Sequence, residues 1–233
     1  MLADLDRLCL QSLNQWVHLY QWFDELVAVI SDSNLLKGGV FMAIIWWLWF
    51  QRGEAAGVRH RRSVLLGVLL GCLVSVGAAR LVVAAAPMRA RPLHNPELRL
   101  TPVKAIFVAH TKDKSSFPSD HAALFFALAT GFFFLSPRLG LAALVYVVLV
   151  ICLPRVYLGL HYPSDLLAGA AIGVLGAGAT NLAPVRERLL APLLHWQHSY
   201  PSPFYVALFL MTHQIAEMFE TTRQLLSFLY QQL

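Results

Sequence analysis

Five apolar runs punctuate the chain, at Leu35–Phe50, Val64–Ala86, Ala122–Leu135, Leu139–Leu153 and Leu166–Ala183. With flanking residues each approaches the roughly 20 positions that a membrane-crossing helix needs. A sixth stretch, Leu13–Ile30, is more mixed, but it is rich in Trp16, Tyr20, Trp22 and Phe23, aromatics suited to a bilayer interface. Asp4, Asp6 and Arg7 precede it without a basic n-region, so it reads as a first, tilted or partly interfacial helix and not as a cleavable signal. The pattern predicts an all-α polytopic membrane bundle of about six transmembrane helices.

After Pro184 the periodicity changes. Ile215, Met218, Phe219, Thr222, Leu225, Leu226 and Leu229 recur at helical spacing, which predicts a C-terminal amphipathic helix. Such a helix can lie on the membrane, pack on the core, or pair with a second copy to make a homo-oligomer. Phe204–Leu210 is too short to cross a bilayer alone. The expected organisation is a membrane-embedded domain over 1–183 and a tail over 184–233.

Composition agrees with the pattern. At 58% hydrophobic and 13% charged residues, the chain is too apolar for an ordinary soluble domain. Cys9, Cys72 and Cys152 are odd in number and lie in or beside apolar runs, so they read as packing residues, not disulfides or metal ligands. Trp46, Trp47 and Trp49 read as an interfacial belt, and Gly169, Gly173 and Gly176 as sites of close helix packing.

Charge orients the bundle. The short connection carrying Arg52, Arg59, Arg61 and Arg62 against Glu54 alone should stay cytoplasmic, and Arg138, Arg186 and Arg188 fall on the same side. The loop Pro87–Pro118 is also basic, but its cations are not topology signals if they bind an anionic substrate. His94, His110, Lys112 and Lys114 within it read as solvated loop groups.

Two strings carry candidate chemistry. Phe117-Pro118-Ser119-Asp120-His121 and Arg155-Val156-Tyr157-Leu158-Gly159-Leu160-His161-Tyr162-Pro163-Ser164-Asp165 each set a histidine at the mouth of an apolar helix. Crossing parity returns Arg155 and His161 to the membrane face where His121 starts, and Arg89 and Arg91 end the preceding span there too. Ser119 is a natural N-cap and Pro163 fits a first helical turn, so free backbone N–H groups point outward at both histidines and attract anions. Arg155, Arg89 and Arg91 offer planar forks that match phosphate oxygens. Asp165 can accept the second ring N–H of His161 and fix its tautomer. Asp120 favours its helix dipole. Taken singly, each histidine would more often be a structural or capping group, and the arginines headgroup anchors; it is the joint spacing that argues for a site.

These residues resemble the type 2 phosphatidic acid phosphatase superfamily of membrane lipid phosphatases. The likeness rests on Pro118-Ser119-Asp120-His121, close to that family's Pro-Ser-Gly-His string, and on Arg155, His161 and Asp165 at the family spacing. It runs over roughly residues 35–183. The first family motif, a Lys six residues before Arg-Pro, is incomplete: Ala84 lies seven positions before Arg91-Pro92, so Arg91, then Arg89, then Arg80 are the candidates for its cations. Pro154 replaces a serine, and Asp120 replaces glycine as in bacterial undecaprenyl-diphosphate phosphatases of this superfamily.

The resemblance implies a hydrolase with His161 as nucleophile, oriented by Asp165, and His121 as acid and then base. Arg155, Arg91, Arg89 and Ser119 would hold the phosphate, with Arg80 a further candidate. It implies a membrane lipid phosphate or diphosphate as partner, no metal, no cofactor and no nucleic acid. The leading expectation is an isoprenyl diphosphate hydrolysed through a phosphohistidine, in a bacterial inner membrane with the site facing outward. The other expectations are a phosphatidate, phosphatidylglycerol-phosphate or lipid A phosphatase or phosphotransferase, and, from a different class, a non-catalytic transporter or assembly scaffold.

Overall fold

The structure, a computed structural model, describes residues 2–104 and 115–231. His110, Lys112 and Lys114 lie outside the described residues. The described chain is all-helical. In order it forms α1 (Leu2–Asn14), α2 (Gln21–Asp32), α3 (Leu35–Phe50), α4 (Ala55–Ala85), α5 (Asp120–Phe133), α6 (Pro137–Tyr157), α7 (Pro163–Thr180), α8 (Ala183–Ser199), α9 (Pro201–Ala216) and α10 (Glu220–Gln231). α4 and α6 are each long and apolar enough to cross a membrane. The pairs α2–α3 and α7–α8 qualify as further crossings when each bent pair, at 64° and 61°, is taken as one.

The centre is α5 packed on α7 and α4. Small residues allow it: a side chain at Gly169 would collide with the Ser119 carbonyl, and one at Gly173 with the Ala123 carbonyl. Backbones can approach this closely only where no Cβ intervenes, and lipid-facing helices gain their association from such contacts. Gly176 likewise admits Ser75 of α4, while Thr180 Oγ1 donates to the Gly67 carbonyl at 2.8 Å. α3 closes the other side through Phe41, whose ring meets Phe125, Phe132 and Tyr146 within 5.9 Å.

Three expectations are corrected. The helix read over Leu13–Ile30 is two helices: the chain turns after Asn14, and His18 takes a left-handed φ of 67° while its N–H donates to Asp24 Oδ2 at 2.8 Å. A buried carboxylate needing donors outweighs continued helix there. Trp49 is not part of an interfacial belt; it is fully buried, stacks on Phe204 and donates to Tyr205 Oη at 3.2 Å, whereas Trp47 is exposed.

The third concerns the tail. The single amphipathic helix read across 215–229 is interrupted between α9 and α10, where Met218 and Phe219 take φ of 54° and 59°. α9 packs in the core, with Phe204, Leu208 and Ile215 buried. It runs antiparallel to α3: Tyr205 lies against Phe50 near one end, Trp46 Nε1 donates to Thr212 Oγ1 at 3.1 Å, and Gly38 admits the Ala216 backbone near the other. Spacing alone could not show that α9 had a partner to bury its face against. The side chains of Leu226 and Leu229 lie outside the described residues.

Candidate active site

One end of the bundle collects the starts of α5 and α7 and the end of α6. Ser119 caps α5, its Oγ accepting from the Ala122 N–H at 3.4 Å. Its own N–H donates to the Asp165 carbonyl at 3.1 Å, which ties the two helix starts together. Pro163 occupies the first turn of α7, as expected from a residue whose missing N–H costs nothing there.

Between α6 and α7 the chain must reverse in a few residues. Gly159 does this at φ +65°, a conformation open to glycine at little cost, with Leu93 filling the space where a Cβ would sit. The Leu160 and His161 N–H groups then both point at the Arg155 carbonyl, at 2.9 and 3.4 Å. The six-residue separation of Arg155 and His161 is thus a tight turn that folds them to one side.

His161 is 5% exposed. Its Nδ1 lies 2.9 Å from the Ser116 carbonyl. A carbonyl only accepts, so Nδ1 carries the proton and Nε2 keeps a free lone pair. Ser116 is thus the nearer acceptor for the proton that the sequence assigned to Asp165, whose Oδ2 stands 3.8 Å from Nδ1, in ion-pair range. Burial is the leading influence on His161, holding it below the ordinary histidine range, with Arg91 and Arg155 adding to the effect and Asp165 opposing it.

Asp165 acts one shell further out. It is fully buried and accepts from the Tyr162 N–H at 2.8 Å, from Arg89 Nη1 at 2.5 Å and from Ser116 Oγ. Because Ser116 supplies the carbonyl that holds His161, Asp165 positions the ring through Ser116. Arg89 is committed to this network: Nη1 also donates to Ser164 Oγ at 2.9 Å, Nη2 to Asp6 at 3.0 Å, and the guanidinium covers the Tyr162 ring at 4.0 Å. Asp6, on α1, accepts from the Ser164 N–H at 2.9 Å and from Ser164 Oγ at 2.5 Å.

The other cations have few partners. Arg155 is 3% exposed, and its two hydrogen bonds, both from Nη1, reach Ser31 Oγ and the Ile151 carbonyl at 3.4 Å. Arg91 donates from Nη1 to the Leu160 carbonyl at 3.0 Å, while its Nε is buried without a partner among the described residues. Arg80 pairs with Asp120, which gives that aspartate a partner beyond its helix dipole. His121 occupies the first turn of α5, partly buried, within the field of Arg155, Lys37, His161 and Arg91. The structure therefore gathers His121, Arg155, His161, Asp165, Arg91, Arg89 and Ser119, and sets Arg80 against Asp120.

Four contributors had no role in the sequence reading: Asp6, Ser31, Lys37 and Ser116. For Lys37 a signal existed, since a lone cation inside an apolar run is costly unless it has a task. Asp6, Ser31 and Ser116 are ordinary residues in mixed sequence, and only the packing of α1, α2 and the loop reveals them.

A sequence model of the PAP2 superfamily matches residues 89–188. Decaprenylphosphoryl-5-phosphoribose phosphatase of Mycobacterium tuberculosis is 33% identical over 147 residues, 61% of this chain and 74% of that one. YbjG of Escherichia coli (strain K12), provisionally named an undecaprenyl-diphosphatase, is 26% identical over 176 residues, 76% of this chain and 81% of its own. Among solved structures, that of Aquifex aeolicus LpxE aligns with a TM-score of 0.49 and 21% identity, over 76% of this chain and 93% of that one.

Proposed function

This chain belongs to the PAP2 superfamily, and on that premise we propose that it is a membrane lipid phosphatase that hydrolyses an isoprenyl diphosphate such as undecaprenyl diphosphate. The observation that carries the reading is His161, with Nδ1–H held by the Ser116 carbonyl and Nε2 left free beside Arg155 and His121. His161 Nε2 attacks phosphorus as the P–O bond to the leaving group breaks, and His121 delivers a proton to the departing oxygen. Water then attacks the phosphohistidine, His121 takes its proton, and the N–P bond breaks to restore His161. Arg155, Arg91 and the start of α5 at Ser119 balance charge on the phosphoryl oxygens, so the protein's own groups meet the electrostatic demand and turnover is metal-independent. Asp165 and Arg89 hold Ser116 and the α7 start in place.

The surroundings support the substrate class. An apolar groove of about 440 Å³ is lined by Trp16, Trp22, Phe23, Leu149, Leu153 and Pro154, the last preceding Arg155 in the chain. It suits a hydrocarbon chain whose phosphate end lies at the arginine. Both relatives are named for polyprenyl phosphates, which favours an isoprenyl tail over a diacylglycerol one.

We take α3, α4, α5, α6, α7 and α9 as six crossings, the sixth coming from the tail and not from the N-terminus. Residues 1–183 form the phosphatase domain, and 184–233 the tail that docks α9 on α3. The charge of Arg52, Arg59, Arg61, Arg62, Arg138, Arg186 and Arg188, at the end opposite the histidines, supports a site on the outer face of a bacterial inner membrane. A carrier lipid could present its diphosphate there while its tail stays in the bilayer.

The test is phosphate release from a panel of purified undecaprenyl diphosphate, phosphatidate, phosphatidylglycerol phosphate and lipid A. Undecaprenyl diphosphate should give the highest kcat/KM, and rapid quench should trap an acid-labile, alkali-stable label that is absent in His161→Ala. Substantial turnover by His161→Ala would end the phosphohistidine reading, and preference for phosphatidate would end the isoprenyl one.

A further inference from the structure

Lys37 sits on the wide, π-helical first turn of α3, Leu35–Gly39, and is 7% exposed. Wide turns of this kind are often found at functional sites. Here the turn is clamped on both sides: Tyr146 Oη donates to the Leu36 carbonyl at 2.5 Å, and Gly38 admits the Ala216 backbone so closely that no Cβ would fit. The ammonium is therefore carried by a fixed backbone.

What the ammonium lacks is an acceptor. The buried charged side chains among the described residues are Asp6, Asp24, Lys37, Arg155, His161 and Asp165. Five of the six make hydrogen bonds: Asp6 with Ser164, Asp24 with the His18 N–H, Arg155 with Ser31, His161 with Ser116 and Asp165 with Tyr162. Of these six, Lys37 is the one whose side chain has no hydrogen bond or ion pair to another described residue. Asp32 and Glu220 reach it only through their field, and the strongest charge acting on it is Arg155, another cation. Its own charge is felt at His121. The Lys37 stem is buried, but its nitrogen is not closed off as Arg91 Nε is, so an ammonium with three donors, a like charge beside it and no acceptor among the described residues is left open to an anion.

We propose that Lys37 is a phosphate-binding residue of this site, completed when a phosphate group lies between it and Arg155. The proposal rests on the phosphate-ester reading above. Lys37 and Arg155 then grip one phosphate from two helices, α3 and α6, and the docking of α9 at Gly38 makes the tail part of the support for that grip. The ligand is a tetrahedral phosphate dianion or the terminal phosphate of a diphosphate.

The experiment uses the full chain in detergent, with inorganic phosphate as the probe, and compares Lys37→Met and Lys37→Arg with the unaltered protein. Lys37→Met should raise the inhibition constant for phosphate in undecaprenyl diphosphate hydrolysis, and lower kcat/KM, each by roughly tenfold, the size of one lost charge-assisted bond. Lys37→Arg should recover most of both. Without phosphate, Lys37→Met should melt no lower than the unaltered protein, because an unpartnered charge has been removed; the rise in Tm on adding phosphate should shrink. An unchanged phosphate inhibition constant overturns the proposal. So does a Lys37→Met protein that misfolds, or melts lower while keeping its phosphate-induced rise, since either shows Lys37 serving Asp32 and Glu220 as a structural cation. Should the unaltered protein hydrolyse no lipid phosphate, the enzymatic reading fails by itself. The Tm response to phosphate would still report whether Lys37 helps to form an anion site.

Discussion

The two flanks of the site around His161 are built on opposite terms. Behind Asp165, the carboxylate receives three donors, Arg89 is divided between Asp165, Ser164 and Asp6, and Ser164 both donates and accepts. By contrast, Arg155 has two long hydrogen bonds from one nitrogen, and among the described residues Arg91 Nε is buried without a partner and the Lys37 side chain has no hydrogen bond or ion pair. A saturated network is rigid and has nothing left to offer a ligand. A cluster of under-coordinated cations is expensive to keep, and its cost is returned only when an anion enters. The same residue type therefore does different work on the two sides: Arg89 is framework and Arg155 is a receptor.

The sharpest way to break this contrast is to delete one arginine from each flank. Arg155→Leu should lower kcat/KM by about 10²–10³-fold, the usual loss when a preorganised charge facing the transition state is removed. Its Tm should hold or rise, because a poorly partnered buried cation is gone. Arg89→Met should do the reverse: a loss of about 1–3 kcal/mol in stability, discounted because the Arg89 side chain is 35% exposed, with a smaller effect on turnover. Chemical or thermal denaturation beside steady-state kinetics reads both. Equal loss of stability in the two variants would remove the distinction.

A pH profile sharpens it further. Burial first, then Arg91 and Arg155, hold His161 below its ordinary range, so its reactive neutral form persists to pH values at which a free histidine would be protonated. The sign follows from linkage. The unfolded ring takes a proton near pH 6.5 and the folded ring only lower, so this contribution to stability is complete above about pH 6.5 and is lost as pH falls through the folded value. Activity should follow the same direction, with kcat/KM falling about tenfold per unit below the folded value. Arg91→Gln removes one depressing charge and should move the acid limb upward. Comparing variant with unaltered protein on one substrate cancels the ionisation of the substrate itself. An acid limb that moves downward would mean that Arg91 does not act on His161 in this sense.

How much of this was legible in the chain depended on whether the partner was local. Ser119 as a cap, Pro163 at a first turn and the glycines facing α5 follow from chemistry within a few residues, and all are found as read. The membrane character followed from the apolar runs, but the break near His18 and the docking of α9 depended on distant partners, Asp24 and α3. The site divided the same way. His121, Arg155, His161 and Asp165 declared themselves by spacing, whereas Ser116 as the acceptor for His161, and Asp6 as the anchor for Arg89, are contacts across 45 and 83 positions. A carboxylate four residues from a histidine looked like its direct acceptor because helical spacing suggests it. The turn at Gly159 instead brought a loop carbonyl closer.

The smallest effect belongs to Arg80, the one candidate cation that lies on neither flank. It faces Asp120 in an ion pair, with its own side chain 46% exposed and that of Asp120 17% exposed. Its charge is already answered, so it has little to give a phosphate, and an exposed pair of this kind stabilises a fold by no more than about 1 kcal/mol. Arg80→Gln should therefore change kcat/KM by less than roughly threefold, the size of a surface-charge effect, and Asp120→Asn together with it should do no more than the two apart. If Arg80 instead supplied the first-motif cation, its loss would cost about as much as that of Arg155, near 10²-fold. In that case Asp120→Asn would raise phosphate affinity by freeing the guanidinium. A double-mutant cycle in kcat/KM and in the phosphate inhibition constant separates the two outcomes, because only a phosphate-binding Arg80 makes the effect of Asp120→Asn depend on its presence.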